Sequence, residues 1–168
     1  QADDYSSKFH AMVVIQGFLV LMNAFLCFML DSDPKNNKQY NLVMTISKLS
    51  MPAIMLLIYI ITVMAGFGRE VKVSTILSIF IGLLFIAIGN YLPKIKRNYT
   101  MGIKLPWTLN SDENWRRTHR LGGICFVIIG LCLILSVFLK SEIVFLVPLF
   151  LGSIIPAIYS YYLYTKGI

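Results

Sequence analysis

The sequence predicts an all-α membrane protein with five transmembrane helices, and two observations carry that prediction. Apolar residues make up 57% of the 168-residue chain and charged residues only 14%, a balance that excludes an ordinary soluble domain and a disordered chain. Several apolar runs also reach about 20 residues, the length at which a helix crosses the roughly 30 Å hydrocarbon layer of a bilayer. The chain is therefore expected to form one polytopic membrane domain.

Five apolar segments, taken in chain order, predict the helices, and turn-forming or polar stretches separate them. They cover residues 11–30, 49–67, 73–92, 121–139 and 143–164. In the first segment, Gln16 and Asn23 share a helix face, which favours a hydrogen bond between helices over a ligand site. In the third, Gly82 and Gly89 give a smooth face for close helix packing.

The basic residues predict the orientation in the membrane, because cytoplasmic loops are enriched in Lys and Arg. Of the fifteen, one side of the predicted bundle collects four: Lys8, Arg69, Lys72 and Lys140. The other side collects the remaining eleven, and seven of these lie in residues 94–123. The side with eleven is expected to be cytoplasmic, with the C-terminus inside the cell. A net charge of +7 concentrated in one loop indicates orientation rather than nucleic-acid binding, so we expect no direct nucleic-acid binding.

The chain divides into three predicted regions. Residues 1–93 form an N-terminal half with three transmembrane helices, residues 94–120 a cytoplasmic loop, and residues 121–168 two C-terminal helices. The polar, non-Met beginning is expected to lie on the outer face. This placement predicts a parent protein with a sixth helix upstream of Gln1.

The residue patterns argue against several function classes. The predicted helices carry no Asp, Glu, Lys or Arg near mid-membrane, where ion-coupled carriers usually place them. No HExxH or GxSxG pattern is present, and the three cysteines lie in apolar runs, where cysteine behaves as a small hydrophobe. We therefore expect no catalytic residues, no metal site, no cofactor and no enzymatic activity.

The longest polar interval, residues 94–123, reads KIKRNYTMGIKLPWTLNSDENWRRTHRLGG and holds both tryptophans. Its centre predicts a helix over residues 111–120, capped by Asn110, with Glu113 reaching back to the cap. Helical spacing puts one set of side chains on one face: Trp115, Thr118, His119 and Gly122. It puts three arginines on the other face: Arg116, Arg117 and Arg120.

This loop has a purely structural interpretation beside the functional one. Tryptophans anchor at the headgroup level of a bilayer, and arginines bind anionic lipid without any protein partner. The compact segment GIKLPW, residues 102–107, would then be a re-entrant plug packed under the helices. The functional alternative is that a long ordered loop between helices carries a binding surface.

The loop resembles the signature segment of the SdpI family of bacterial membrane proteins. Members carry a similar N-x-x-x-G-[IL]-R-T-P-W-T-L run, followed by a tryptophan and a Thr-His-Arg end. The matching residues are Asn98, Gly102, Pro106, Trp107, Thr108, Leu109, Trp115, Thr118, His119 and Arg120. Lys104 and Leu105 depart from the Arg-Thr of the family, and lysine lacks the bidentate fork of arginine. The leading QADDYSSKF resembles the end of an external loop of the family, with Asp4 and Lys8 as matches.

The resemblance implies an immunity protein of the bacterial cell membrane. Such a protein protects the cell against a secreted peptide toxin on the outer face and can hold a cytoplasmic repressor at the membrane. It implies a partner-binding surface formed by loop residues: Asn98, Gly102, Lys104, Pro106, Trp107, Thr108, Trp115, Arg116, Arg117, His119 and Arg120. It also implies toxin-facing residues: Asp3, Asp4 and Lys8. Membrane lipids are the remaining expected partners.

Two other functions stay open at this point. One is a small transporter or lipid-handling membrane protein in which the central loop acts as a gate. The other is an intramembrane enzyme, which the absence of a catalytic constellation in the sequence disfavours. A secreted toxin precursor and a small DNA-binding repressor encoded beside the gene would favour the immunity protein.

Overall fold

The computed structural model describes residues 10–32, 41–139 and 142–168, and every regular element in those ranges is helical. A π-helical turn at His10–Val14 leads into α1, and a 3-10 turn at Leu92–Lys94 follows α3. The six α-helices are α1 (Ile15–Asp31), α2 (Asn41–Gly66), α3 (Val73–Tyr91), α4 (Pro106–Asn110), α5 (Asp112–Leu139) and α6 (Glu142–Thr165). The predicted all-α fold class is confirmed.

Within the described ranges, four helical segments are long and apolar enough to cross a bilayer: Met44–Gly66, Val73–Lys94, Asp112–Leu139 and Leu146–Thr165. The fifth apolar helix, α1, has 17 residues and directly continues the π-helical turn. Large apolar side chains on these helices are exposed, for example Phe138 and Phe150, as expected where hydrocarbon is the solvent. The chain is a multi-pass membrane protein.

The helices α1 and α2 form one compact unit. Lys48 Nζ binds Asp31 Oδ1 at 2.6 Å. The predicted interhelical hydrogen bond is not made by Gln16 Nε2 or Asn23 Oδ1, which are buried without a partner among the described residues. In α2, the hydroxyls of Ser50 and Thr62 donate to carbonyl oxygens of their own helix, those of Ser47 at 2.7 Å and Ile58 at 2.8 Å.

A second compact unit contains α3 to α6, and α5 lies at its centre. The helices α3 and α5 run antiparallel and meet at two pairs of glycines. A Cβ on Gly82 would lie 2.7 Å from the carbonyl oxygen of Gly130, and a Cβ on Gly89 would lie 2.7 Å from that of Gly123. Backbone therefore touches backbone, so the smooth face predicted at Gly82 and Gly89 is confirmed.

The helix α6 packs along α5 as well. Gly152 of α6 lies against the side chain of Ile129, which is 1% exposed. Near the polar end of α5, a Cβ on Gly122 would meet Ile103 at 2.6 Å and Pro156 at 3.8 Å. Gly122 thus sits where α5, α6 and the loop before α4 come together.

The start of α5 differs from the prediction by one residue. Ser111 has extended backbone angles (φ −133°, ψ 123°), and its Oγ accepts the N–H of Asn114 at 3.2 Å, so Ser111 is the cap. Asn110 is not the cap of α5, because it is the last residue of the preceding helix α4. The carboxylate of Glu113 binds Arg116 and Arg117 rather than reaching back, and α5 continues without a break into the apolar segment.

Candidate functional site

The loop between α3 and α5 is attached to the buried face of α5 by two ring side chains. Trp115, 2% exposed, donates its Nε1–H to the carbonyl oxygen of Ile95 at 2.7 Å. One turn later, the fully buried His119 accepts the backbone N–H of Ile103 on Nε2 at 3.0 Å. The two rings stack, with centroids 3.9 Å apart and an interplanar angle of 22°. One face of a helix thereby fixes two points of the loop backbone.

The hydrogen bonds of His119 define its protonation state. Because Nε2 accepts from a backbone N–H, that nitrogen carries no proton. Nδ1 lies 2.8 Å from the carbonyl oxygen of Trp115, which can only accept, so Nδ1 carries the hydrogen. His119 is therefore a neutral imidazole that bridges the loop to α5. Both ring nitrogens are engaged, which leaves neither for a metal or a partner.

The close approach of the loop backbone to the rings of His119 and Trp115 requires a glycine at position 102. Its φ of +107° lies in the region that residues with a side chain rarely adopt. A Cβ there would collide with His119 Nε2 and approach two ring carbons of Trp115 at 3.1 Å. The glycine of the loop motif thus lets the backbone approach both rings.

Asn98 shapes the turn that precedes Gly102. Its side chain is buried, and Oδ1 accepts the backbone N–H groups of Thr100 at 2.9 Å and Met101 at 2.6 Å. Its Nδ2 donates to the carbonyl oxygen of Lys96 at 2.9 Å. One amide side chain therefore replaces the regular backbone partners that an irregular loop lacks.

Lys104 closes the same turn from its exposed side. Its Nζ donates to the carbonyl oxygens of Tyr99 at 3.2 Å and Thr100 at 3.1 Å. An ammonium group has three donors and needs no planar fork to serve two carbonyls. The lysine that stands in place of the arginine of the family is thus compatible with this loop.

Thr108 holds the first turn of α4. Its side chain is fully buried; Oγ1 accepts the N–H of Leu105 at 2.8 Å and lies 2.9 Å from the carbonyl oxygen of Ile103. Pro106 begins α4, where its missing N–H would have no partner in the helix. These contacts fix the start of the short helix α4.

Trp107 attaches α4 to the last turns of α6. Its Nε1–H donates to Ser160 Oγ. Its ring packs edge-on against Tyr161, with centroids 5.3 Å apart, and lies 6.1 Å from the ring of Tyr164. The loop therefore contacts both α5 and α6, so its position depends on how those helices pack.

Two residues outside the predicted set are central to the site. Asn114 is fully buried, and its Nδ2 donates to the carbonyl oxygens of Ser160 at 3.0 Å and Ile168 at 3.1 Å. Arg97 donates from a guanidinium nitrogen to the carbonyl oxygen of Leu109 at 2.9 Å, and its Nε binds Asp112 Oδ1 at 2.8 Å. For Asn114 the available signal was its spacing of four from Thr118, whose hydroxyl it accepts at 3.0 Å.

The arginines of α5 lie on the exposed side, as predicted, and they differ in their partners. Arg116 binds Glu113 Oε2 at 2.7 Å, and Arg117 binds Glu113 Oε1 at 2.6 Å. The side chain of Arg120 makes no hydrogen bond or ion pair to any residue in the described part of the chain. The predicted two-sided helix is confirmed, since the other face is buried: Trp115, Thr118, His119 and Gly122.

The structure separates the predicted partner-binding residues into two groups. The buried group hydrogen-bonds the loop and cannot touch a partner directly: Asn98, Thr108, Trp115 and His119. The accessible group lies on the outside of the loop and of α5: Gly102, Lys104, Pro106, Arg116, Arg117 and Arg120, with Trp107 half-buried. The predicted toxin-facing residues, Asp3, Asp4 and Lys8, lie outside the described residues.

Fold and site together define a multi-pass α-helical membrane protein whose polar loop is folded against the polar ends of two of its helices. In residues 10–32, 41–139 and 142–168, no group of three or more His, Cys, Asp or Glu side chains could hold a metal ion. The described cysteines, Cys27, Cys125 and Cys132, are free thiols.

Comparison with known proteins finds a family model that matches part of the chain. Residues 94–160 match the model of the SdpI/YfhL protein family, a segment that covers the loop, α5 and most of α6. The chain is similar to Immunity protein SdpI of Bacillus subtilis (strain 168), at 26% identity over 118 residues. The resemblance to the SdpI family expected from the loop motif is confirmed.

The alignment covers 67% of this chain and 57% of the relative, so the chain spans little more than half of that protein's length. No solved structure matches the chain. The SdpI immunity proteins are not a known enzyme family.

Proposed function

We propose that the protein is an immunity protein that protects a bacterial cell against a secreted peptide toxin. The match of residues 94–160 to the SdpI/YfhL family and the similarity to Immunity protein SdpI support this function. The proposal places the protein in the cell membrane, with the toxin on the outer face.

The orientation belongs to the same proposal. The side with eleven of the fifteen basic residues, which includes the loop and the C-terminus, faces the cytoplasm. The loop can then hold a cytoplasmic repressor at the membrane, and Asp3, Asp4 and Lys8 can meet the toxin outside.

The observation that carries the proposed role of the loop is its attachment to α5 and α6 by buried side chains. Hydrogen bonds from Trp115, His119 and Trp107 fix its position at separate points. A connector between two helices needs no such attachment, whereas a binding surface gains affinity when its shape is fixed before the partner arrives. The accessible residues include Trp107, Arg116 and Arg117, and Trp and Arg are enriched at binding hot spots.

Survival of cells exposed to toxin tests the protective function. The full-length gene is expressed in a Bacillus subtilis strain that lacks Immunity protein SdpI, and the cells are challenged with the toxin that this protein counters. We expect survival to rise towards that given by Immunity protein SdpI itself. Survival no better than with an empty vector, at a membrane level of protein verified by blotting, would contradict the proposal.

Two kinds of substitution separate the proposed roles of the two faces. Trp107→Ala and Arg117→Ala are expected to weaken membrane recruitment of a fluorescently labelled repressor more than they weaken toxin resistance. Substitutions at Asp3 and Asp4 are expected to weaken resistance first. If every loop variant that reaches the membrane still recruits the repressor fully, the loop is only a structural plug.

A further inference from the structure

An open groove of about 390 Å³ lies between α3 and α5, within the size range of sites that hold small molecules. Gly89 and Gly123, whose backbones are in close contact, both lie in its lining. Asn90 and Arg120 supply its polar groups, while Ile124, Val127 and Ile128 line it on α5. The groove is independent of the loop contacts described above.

The charge in this groove comes from Arg120. Arg116 and Arg117 share the carboxylate of Glu113, but Arg120 has no anionic partner among the described residues. Arg120 is also the last charged residue before the apolar part of α5, because residues 121–139 contain no Asp, Glu, Lys or Arg. A lone exposed guanidinium at this boundary lies where phospholipid headgroups meet hydrocarbon.

The apolar lining continues from the charge into the membrane. Ile124 is 56% and Ile128 52% exposed. Ile128 lies eight residues beyond Arg120, which corresponds to about 12 Å along a helix. A molecule that follows the groove therefore meets a cation at one end and hydrocarbon side chains along the rest.

We propose that this groove binds one anionic phospholipid, with its phosphate on Arg120 and Asn90 and an acyl chain along Ile124 and Ile128. A guanidinium binds phosphate through two parallel hydrogen bonds. The Asn90 amide also lines the groove; its Nδ2 donates one hydrogen to the Ile86 carbonyl oxygen at 2.9 Å and carries a second hydrogen that can reach a phosphate. We expect an anionic headgroup to bind better than a zwitterionic one, because a zwitterionic headgroup carries its own cation, which competes with Arg120 for the phosphate. This function goes beyond immunity and does not depend on it.

Lipid titration of the purified full-length protein tests the site. The protein in mild detergent is titrated with phosphatidylglycerol or with phosphatidylcholine of the same acyl chains, and bound lipid is counted by native mass spectrometry. We expect one phosphatidylglycerol to bind in clear preference to phosphatidylcholine. Arg120→Gln should weaken phosphatidylglycerol binding about tenfold, the usual size of a lost charge-assisted hydrogen bond.

The matched control is Arg116→Gln, which removes the same charge from the same helix but from a residue already paired with Glu113. We expect it to change lipid binding less than about twofold, as for an exposed ion pair. Ile128→Trp keeps Arg120 and fills the groove, so it should also weaken binding. Glycerol phosphate, which carries the charge without the chains, should not displace the lipid.

Four results would overturn the proposal: equal losses in the Arg120 and Arg116 variants, no preference of the unaltered protein for phosphatidylglycerol, unchanged binding by Ile128→Trp, or displacement of the lipid by glycerol phosphate. Should Arg120→Gln fail to give a monodisperse protein on gel filtration, Arg120→Lys and Ile128→Trp decide the question. Lysine keeps the charge but loses the fork, so partial loss of binding is expected.

Discussion

The two halves of α5 are held by different interactions: side-chain hydrogen bonds at residues 114–119 and close backbone packing at residues 123–130. In the first half, Asn114, Trp115 and His119 are buried and bind backbone groups of other segments. In the second half, Gly123 and Gly130 place the α5 backbone directly against α3. One continuous helix thus carries both modes of contact.

The difference follows from what each environment leaves unsatisfied. The loop has irregular backbone whose N–H and C=O groups need partners, and polar side chains of α5 supply them. Within the membrane the helices satisfy their own backbone groups, and burial gives little hydrophobic gain against lipid. There, close approach of two helices gains van der Waals contacts, and small residues permit that approach.

The largest effect is expected from a substitution in the half of α5 that packs against α3, residues 123–130. Gly130→Val places a side chain into the carbonyl oxygen of Gly82 and against Ile86, so α3 and α5 must separate. We expect a loss of about 4 kcal/mol of stability, a fall of roughly 10 °C in Tm. Thermal unfolding is followed with a thiol-reactive dye, since Cys125 is buried and becomes reactive on unfolding.

The control for this prediction is Gly17→Val, because nothing lies within 4 Å of a Cβ at Gly17. We expect its Tm to stay close to that of the unaltered protein. Similar losses for both valine variants would show that valine itself, rather than the contact between α3 and α5, causes the instability.

An intermediate effect is expected in the hydrogen-bonded half. His119→Ala leaves the N–H of Ile103 without its acceptor and creates a cavity beside Trp115, which should cost about 3 kcal/mol. Hydrogen–deuterium exchange is expected to rise in the peptide that contains Ile103 while α3 keeps its protection. Uniformly increased exchange would contradict a separate attachment of the loop.

His119→Gln sharpens the same comparison. A glutamine amide can place an acceptor near the position of Nε2, so it should restore part of the protection at Ile103 that alanine removes. Equal exchange in the two variants would mean that the ring stacking on Trp115, and not the hydrogen bond, holds the loop.

The smallest effect concerns the cap of α5. Ser111→Ala removes the acceptor of the Asn114 N–H and should cost about 1 kcal/mol. Asn110→Ala should cost less, because Asn110 ends α4 and does not cap α5. Chemical denaturation of the two variants side by side measures the difference. A larger loss at Asn110 would return the cap to the residue predicted from the sequence.

The sequence was sufficient to predict features that depend on a single helix: its length and which of its residues share a face. The lengths of the apolar runs predicted the membrane helices, and the period of the α-helix separated the buried residues Trp115 and His119 from the exposed Arg116 and Arg117. The sequence placed the cap of α5 at Asn110, one residue too early. Pro106 starts the separate short helix α4, and Asn110 is the last residue of that helix. Proline at the first helical position and asparagine at the cap are both common at helix starts, so the sequence pattern fitted one helix start as well as the other.

The sequence by itself determined the helical membrane fold, the two-sided character of α5 and the loop motif, because these depend on local spacing and on composition. Only the tertiary structure decided what these residues touch: His119 of the motif meets Ile103, Trp115 of the motif meets Ile95, and Asn114, which lies outside the motif, meets Ser160 across 46 positions of the chain. No sequence pattern indicated that Arg120, unlike Arg116 and Arg117, has no acidic partner within residues 10–32, 41–139 and 142–168. Hydrogen bonds and ion pairs between distant segments depend on how α3, α5 and α6 pack. The periodicity of a single helix does not encode which residues of two different helices come into contact.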